Sequence, residues 1–171
     1  NEKRLVYSQK GALISFIKKG ETSVVGKPIR MNVIDWRSTT NKRVVESSLS
    51  AESHAAIMAF GLARFCQAIL AELRYGAEIV TAFEDEDFQS HTPLYMITDC
   101  KSIYDHINKD GQHITSKNDV ISVVLLRKML TTRAHPGKAC LMWVPTKHQV
   151  ADGLTKAGRG PDFRGHLGWA V

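Results

Sequence analysis

PLYMITDCKSIYDHI, residues 93–107, changes character at Asp99. The run before it is short and apolar and ends in a carboxylate, as a buried strand does, and KSIYDHI continues directly as a helix. A strand that feeds straight into a helix is the building unit of an α/β fold. Ligands of open α/β sheets gather beyond the carboxyl ends of the strands, so the corner at Asp99 is a privileged place for a charge. Such an aspartate either caps the helix that follows or holds something positive.

Working outward, LVY (5–7) and GALISFIKK (11–19) read as strands, and RMNVIDW (30–36) as a third after the turn-like GETSVVGKP. Over 49–73 the period changes: Met58, Leu62, Phe65, Ile69 and Leu73 recur at helical spacing, and Gly76 is a stop signal. The helix opens in VVESSLSAESHAA (44–56), where Ser47 or Ser48 supplies the cap and Glu52 falls in the first turn. Residues 75–93 form a polar, acidic connection. VISVVLLRKMLTTR (120–133) reads as a helix capped by Asp119, KACLMWVP (138–145) as a strand, and VADGLTK (150–156) as a last short helix. The order β-β-β-α-β-α-α-β-α predicts an α/β fold with a mixed sheet, antiparallel at first and then parallel, flanked by helices. Trp36, Trp143, Phe60 and Phe65 are expected in its core.

A chain of 171 residues, 43% hydrophobic and 23% charged, is long enough for one domain with a real core. No continuous apolar run approaches the roughly 20 residues of a membrane span, and no membrane partner is expected. NEKRLVYSQK starts without Met and has no signal or transit character, which suggests an excised piece of a longer polypeptide. Cys66, Cys100 and Cys140 are odd in number and form no C-x-x-C pair, so a reducing, intracellular compartment is expected. The net charge is +6 although FEDEDF (83–88) concentrates four acids, and the remainder is more basic still. A basic body implies a polyanionic partner, nucleic acid first among them.

Glu52, Asp99 and Asp152 each stand at the start of a helix around one expected sheet. Singly, each reads as a cap or a surface charge. Together they suit a hard divalent cation, Mg²⁺ or Mn²⁺, which selects carboxylate oxygens and in pairs promotes phosphodiester hydrolysis.

Three stretches resemble one family. IDWRSTTNKRVVESSLSAES (34–53), PLYMITDCKSIYDHI (93–107) and VPTKHQVADGLTK (144–156) are similar, in order, to segments of the ribonuclease H domain of copia-type retrotransposon polyproteins. The last is the most specific, and the likeness covers about residues 30–158. It implies an RNase H-like fold with a five-stranded sheet over residues 1–158, followed by a basic Gly/Arg-containing tail over 159–171. It also implies metal-dependent endonuclease (hydrolase) cleavage of the RNA strand of RNA–DNA hybrids. Glu52, Asp99 and Asp152 match three of the family's four metal-binding carboxylates.

The fourth has no match. The family's first strand reads like Y-S-D-A-x-W, whereas here Tyr7, Ser8, Gln9, Lys10 and Gly11 run on without an aspartate or the Trp-containing loop. Either residues are missing between Tyr7 and Gly11 in this chain or the gene has lost them. Asp35 is a poor substitute, better read as a strand-end charge. Cys100 stands where the family usually has Asn, and a thiol supports a neighbouring carboxylate weakly. His148, four residues before Asp152, would share its helix face and could shuttle protons. Lys42, Arg43, Lys101, Lys147 and Lys156 flank the motifs and suit phosphates.

With the bridging aspartate absent, the expected function is that of a retroelement-derived domain impaired in catalysis. It would bind RNA, or scaffold a ribonucleoprotein such as a ribosome, beside other subunits. The alternative is an active, metal-dependent ribonuclease H next to a reverse transcriptase domain. A protein-interaction domain docking through FEDEDF is a third reading, which the net charge disfavours.

Overall fold

The computed structural model describes residues 8–18, 30–41, 47–77, 93–109, 114, 116–133 and 141–155. They fall in two compact units, one of residues Asn1–Val44 with Val150–Val171 and one of Val45–Gln149.

In the first unit, Gln9–Ile17 (β1) and Met31–Thr40 (β2) pair antiparallel, from Gln9↔Thr40 to Ile17↔Met31. Over Met31–Trp36 the burial alternates residue by residue, the period of a half-covered strand. The register slips between Ile14 and Ser15, which leaves Ile34 as the extra residue of a bulge. Asp35 accepts a hydrogen bond from the Trp36 N–H (2.8 Å) within that strand, so it is a mid-strand side chain satisfied locally. A 3₁₀ segment, Val150–Leu154, lies against β1. Gly11 makes the approach possible: a Cβ there would stand 2.7 Å from Thr155 Cγ2 and 3.1 Å from the Ala151 carbonyl oxygen. Ser38 Oγ donates to the Leu154 carbonyl and fixes the same contact from β2.

The second unit holds Ser48–Tyr75 (α1), Met96–Thr98 (β3), Lys101–Asn108 (α2), Lys117–Arg133 (α3) and Leu141–Trp143 (β4). β3 and β4 pair parallel, Met96↔Leu141 through Thr98↔Trp143, and the ladder runs on through Val144 N–H to the Thr98 carbonyl (3.0 Å). Phe60, Ile103, Ile107, Val123, Leu126, Leu130 and Leu141 form the core, to which all three helices and β4 contribute. Burying each of the larger side chains is worth about 1.5–3 kcal/mol. Polar groups tie the helices together. The Arg127 guanidinium of α3 donates to the carbonyls of His106, Ile107 and Lys109 (3.1–3.2 Å), closing the end of α2 where the helix dipole favours a cation. Lys109 Nζ lies 2.8 Å from Asp105 Oδ1 and holds that carboxyl below its usual range.

Ser47, not Ser48, caps α1: its Oγ accepts from the Ser50 N–H (2.9 Å) and donates to Asp119 Oδ2 (2.8 Å). Asp119 is buried inside the first turn of α3 and is not that helix's cap; the residue before the helix, Ser116, accepts from the Asp119 N–H. Gly76 ends α1 at φ 89°, a conformation that glycine adopts freely.

The mixed α/β character is present, yet the described strands form two two-stranded sheets, not one sheet of five. The expected first strand, residues 5–7, lies outside the described residues, as does the expected domain boundary after residue 158. In the β3–β4 ladder the Ile97 carbonyl faces the edge away from β4, where Gln149 Nε2 bonds it (3.2 Å). A side chain thus occupies a position where a further strand would offer a backbone N–H. The final helix is replaced by two 3₁₀ segments, Thr146–His148 and Val150–Leu154, broken at Gln149.

α1 packs by the face opposite to its apolar stripe. Phe60, Ala63, Arg64, Cys66, Gln67 and Ala71 are buried, whereas Phe65 (63% exposed), Ile69 and Leu73 (80%) face outward. At about 1.5 Å per residue, 28 residues run well past the shorter α2 and α3. Trp36 (62% exposed) and Trp143 are likewise outside the core; of the four aromatics expected there, only Phe60 is buried. By length and mean hydropathy (1.5) α1 also meets the requirement of a membrane span, which no continuous apolar run in the sequence announces. Here its buried residues include Ser50, Ser53, Arg64 and Gln67, groups costly to place in lipid.

Ser47→Ala removes both a cap and the donor to a buried carboxylate and is expected to cost about 1–3 kcal/mol in urea unfolding. Ser48→Ala, one residue on, is expected to stay within about 0.5 kcal/mol of the parent.

Candidate functional site

The carboxyl end of the β3–β4 ladder carries Asp99, Cys100 and Lys101 after β3, and Lys147 and His148 on the segment after β4. Asp99 leaves β3 and Cys100, not Asp99, is the N-cap of α2, so the Asp99 carboxylate is not engaged at the helix start. Two bonds hold the corner. Thr98 Oγ1 accepts from the Cys100 N–H (3.1 Å), and Trp143 Nε1 donates to the Asp99 carbonyl (3.0 Å) across the ladder. Buried Thr98 thus supports the turn, and the indole fixes the backbone that carries the carboxylate.

Glu52 stands on α1 just beyond its first turn, exposed, not within that turn as expected. Glu52 and Asp99 both act on the Cys100 thiol. Burial raises the pKa of Cys100 above its ordinary value, and the negative charges of Glu52 and Asp99 raise it further. The N–H groups of Ser102 and Ile103 at the start of α2 favour the thiolate and offset part of this. Both carboxylates therefore act on one side chain. Residues 47 apart in sequence come near the same thiol because α1 and α2 share the core around Phe60 and Ile103.

Asp152 belongs to the first unit, half-buried in the 3₁₀ segment against β1, where its carbonyl accepts from Thr155 N–H and Oγ1. His148 belongs to the second unit and is exposed. The break at Gln149 means that no continuous helix puts the two on a common face. The chain passes Gln9–Gly11 as paired strand, Gln9↔Thr40 to Gly11↔Ser38, and no carboxylate stands there. Among the described residues no group of three His, Cys, Asp or Glu is arranged to hold a metal ion.

Of the five expected phosphate contacts, Lys101 and Lys147 are exposed at this end of the ladder; Lys42, Arg43 and Lys156 lie outside the described residues. Lys147 and His148 ride on a loop, residues 144–149, pinned to β3 at both ends by the Val144 and Gln149 bonds. Lys101 Nζ stands 5.9 Å from the centroid of the Trp143 ring. The part of Trp143 is what the sequence reading missed. The apolar run KACLMWVP suggests burial, and only the parallel register with Thr98 places the ring beside Asp99.

No protein-family model matches the chain, and neither a curated protein nor a solved structure matches it.

Glu52→Gln removes one of the charges that disfavour the Cys100 thiolate, so its pKa falls. Alkylation of Cys100 at pH 8, followed by peptide mass mapping, is expected to be faster in Glu52→Gln than in the parent. The pH–rate profile shifts to lower pH. Equal rates would place Glu52 away from Cys100.

Proposed function

We propose that this chain is a retroelement-derived, RNase H-like domain that binds RNA through the carboxyl end of its parallel strands, with hydrolysis impaired. One observation supports it above the others: Glu52 and Asp99, assigned separately from two motifs, act together on Cys100 at a surface that also carries Lys101 and Lys147. The resemblance of the three ordered motifs supplies the ancestry. The five-stranded sheet and a common site with Asp152 belong to this reading.

The impairment follows from the residues at the first strand. Gln9 and Lys10 offer an amide and an ammonium where a bridging carboxylate is needed, and neither supplies the negative charge that holds two Mg²⁺ or Mn²⁺ ions together. Lysines at a strand end serve instead to neutralise phosphates, which sets position without sequence preference. A domain of net charge +6 with such a surface suits a part of a larger ribonucleoprotein, where the phosphate backbone is the common ligand.

The active ribonuclease H is the second reading, favoured by the same convergence of Glu52 and Asp99. One experiment separates the two: the purified full chain with a labelled RNA and a labelled RNA–DNA hybrid, across a Mg²⁺ and Mn²⁺ titration and a salt series. The expected outcome is binding that weakens linearly in log salt, no cleavage, and affinity within about twofold of the parent in Asp99→Asn, as phosphate-dominated binding requires. Cleavage abolished by Glu52→Gln would establish the second reading. Absence of binding at low salt would overturn both.

A further inference from the structure

We infer that Trp143 and Lys101 form a platform for a single-stranded nucleic acid segment, one unpaired base lying on the indole and its flanking phosphates on Lys101 and Lys147. The inference rests on the nucleic-acid reading of this face and adds what kind of strand it takes.

Leu141 and Trp143 lie on the same face of β4, so the tryptophan is expected to turn inward as the leucine does. This one is 41% exposed, although Leu141, two residues earlier on the same strand, is in the core. Its orientation is not loose. The Nε1 bond to the Asp99 carbonyl (3.0 Å) fixes one edge of the ring, and backbone pairing of Thr98 with Trp143 and of Val144 with Thr98 fixes its root. A flat, half-exposed ring held at a set angle loses little entropy when a second ring settles on it. The ammonium of Lys101 stands over the ring, 5.9 Å from its centroid, and brings a positive charge to the indole, near the phosphates that flank a base stacked on its other face. Lys147 supplies a second charge from the pinned loop that follows the ring.

This set of groups discriminates between strands. In a duplex the base faces are covered by their neighbours, and a protein meets phosphates, sugars and base edges. An exposed indole has a stacking partner only where a base is unpaired. The lysines serve either form, whereas the ring serves single strands. Among the described residues this is where an outward aromatic ring lies beside a lysine and next to the candidate carboxylates.

The test uses the full chain in a Trp36→Phe, Trp169→Phe background, so that Trp143 is the sole indole. Fluorescence is followed as a single-stranded RNA 12-mer of about that length, roughly one site size, is added. Anisotropy of labelled single strand and of blunt RNA–DNA hybrid gives the affinities. The expected results are quenching by the single strand, a roughly tenfold or greater loss of single-strand affinity in Trp143→Ala with hybrid affinity nearly unchanged, and a salt slope smaller by about 1 in Lys101→Ala. Lys101 is exposed on the first turn of α2, so its removal leaves the packing intact and keeps the test valid should Trp143→Ala unfold. Single-strand binding with unquenched Trp143 and an unaltered slope in Lys101→Ala would overturn this inference while leaving nucleic-acid binding standing. A parent that binds neither ligand would fail the reading on which it rests.

Discussion

The three-residue parallel ladder between β3 and β4 is the constraint on which the candidate site depends. Parallel pairing of Met96–Thr98 with Leu141–Trp143 joins segments more than 40 residues apart and aims both carboxyl ends the same way. From that alignment follow the bond of Trp143 to Asp99, the pinned loop 144–149, and the start of α2 at Lys101. So short a ladder is weak alone. It persists because Leu141 on one strand is buried in the helical core and Met96 on the other packs against it. Burial of apolar side chains from α1, α2 and α3 holds the polar corner in place.

The helices, in turn, are also joined by polar groups. Ser47 links the N-terminus of α1 to Asp119 in the first turn of α3, and Arg127 of α3 closes the C-terminus of α2. Each places a charge where a helix end carries the opposite partial charge. These bonds fix where α1 starts, and so how far along it Glu52 stands from the Asp99 corner. Charge at the site is governed by the same geometry. Two carboxylates acting on a half-buried thiol disfavour a third negative charge, and the cations Lys101 and Lys147 are exposed.

The strand–helix alternation after residue 93 is legible in the sequence, because Pro93 and the change of pattern at Asp99 mark its breaks. The cap at Ser47 and the exit at Gly76 are legible for the same local reasons. The packed face of α1 is not. Periodicity selects Met58, Phe65, Ile69 and Leu73 as the apolar stripe, but which face is covered depends on which neighbours reach it, and α2 and α3 reach the side of Phe60 and Ala63. Glu52 and Asp99 can be picked out one at a time from their helix starts. Their joint action on Cys100, and the place of Trp143, depend on contacts such as Gln149 with Ile97 that no local pattern encodes. The five-stranded sheet is the part of the expectation that leans most on resemblance, and the described strands stand as two pairs.

The central claim is that the carboxyl end of the β3–β4 ladder is the nucleic-acid face of this domain. Amide chemical-shift mapping of the isotopically labelled full chain, titrated with a short RNA, tests it most directly. The account requires the perturbed amides to cluster at residues 99–101 and 143–149. Shifts confined to the outward stripe of α1 around Phe65 and Leu73, or none while the RNA is bound elsewhere, would contradict it.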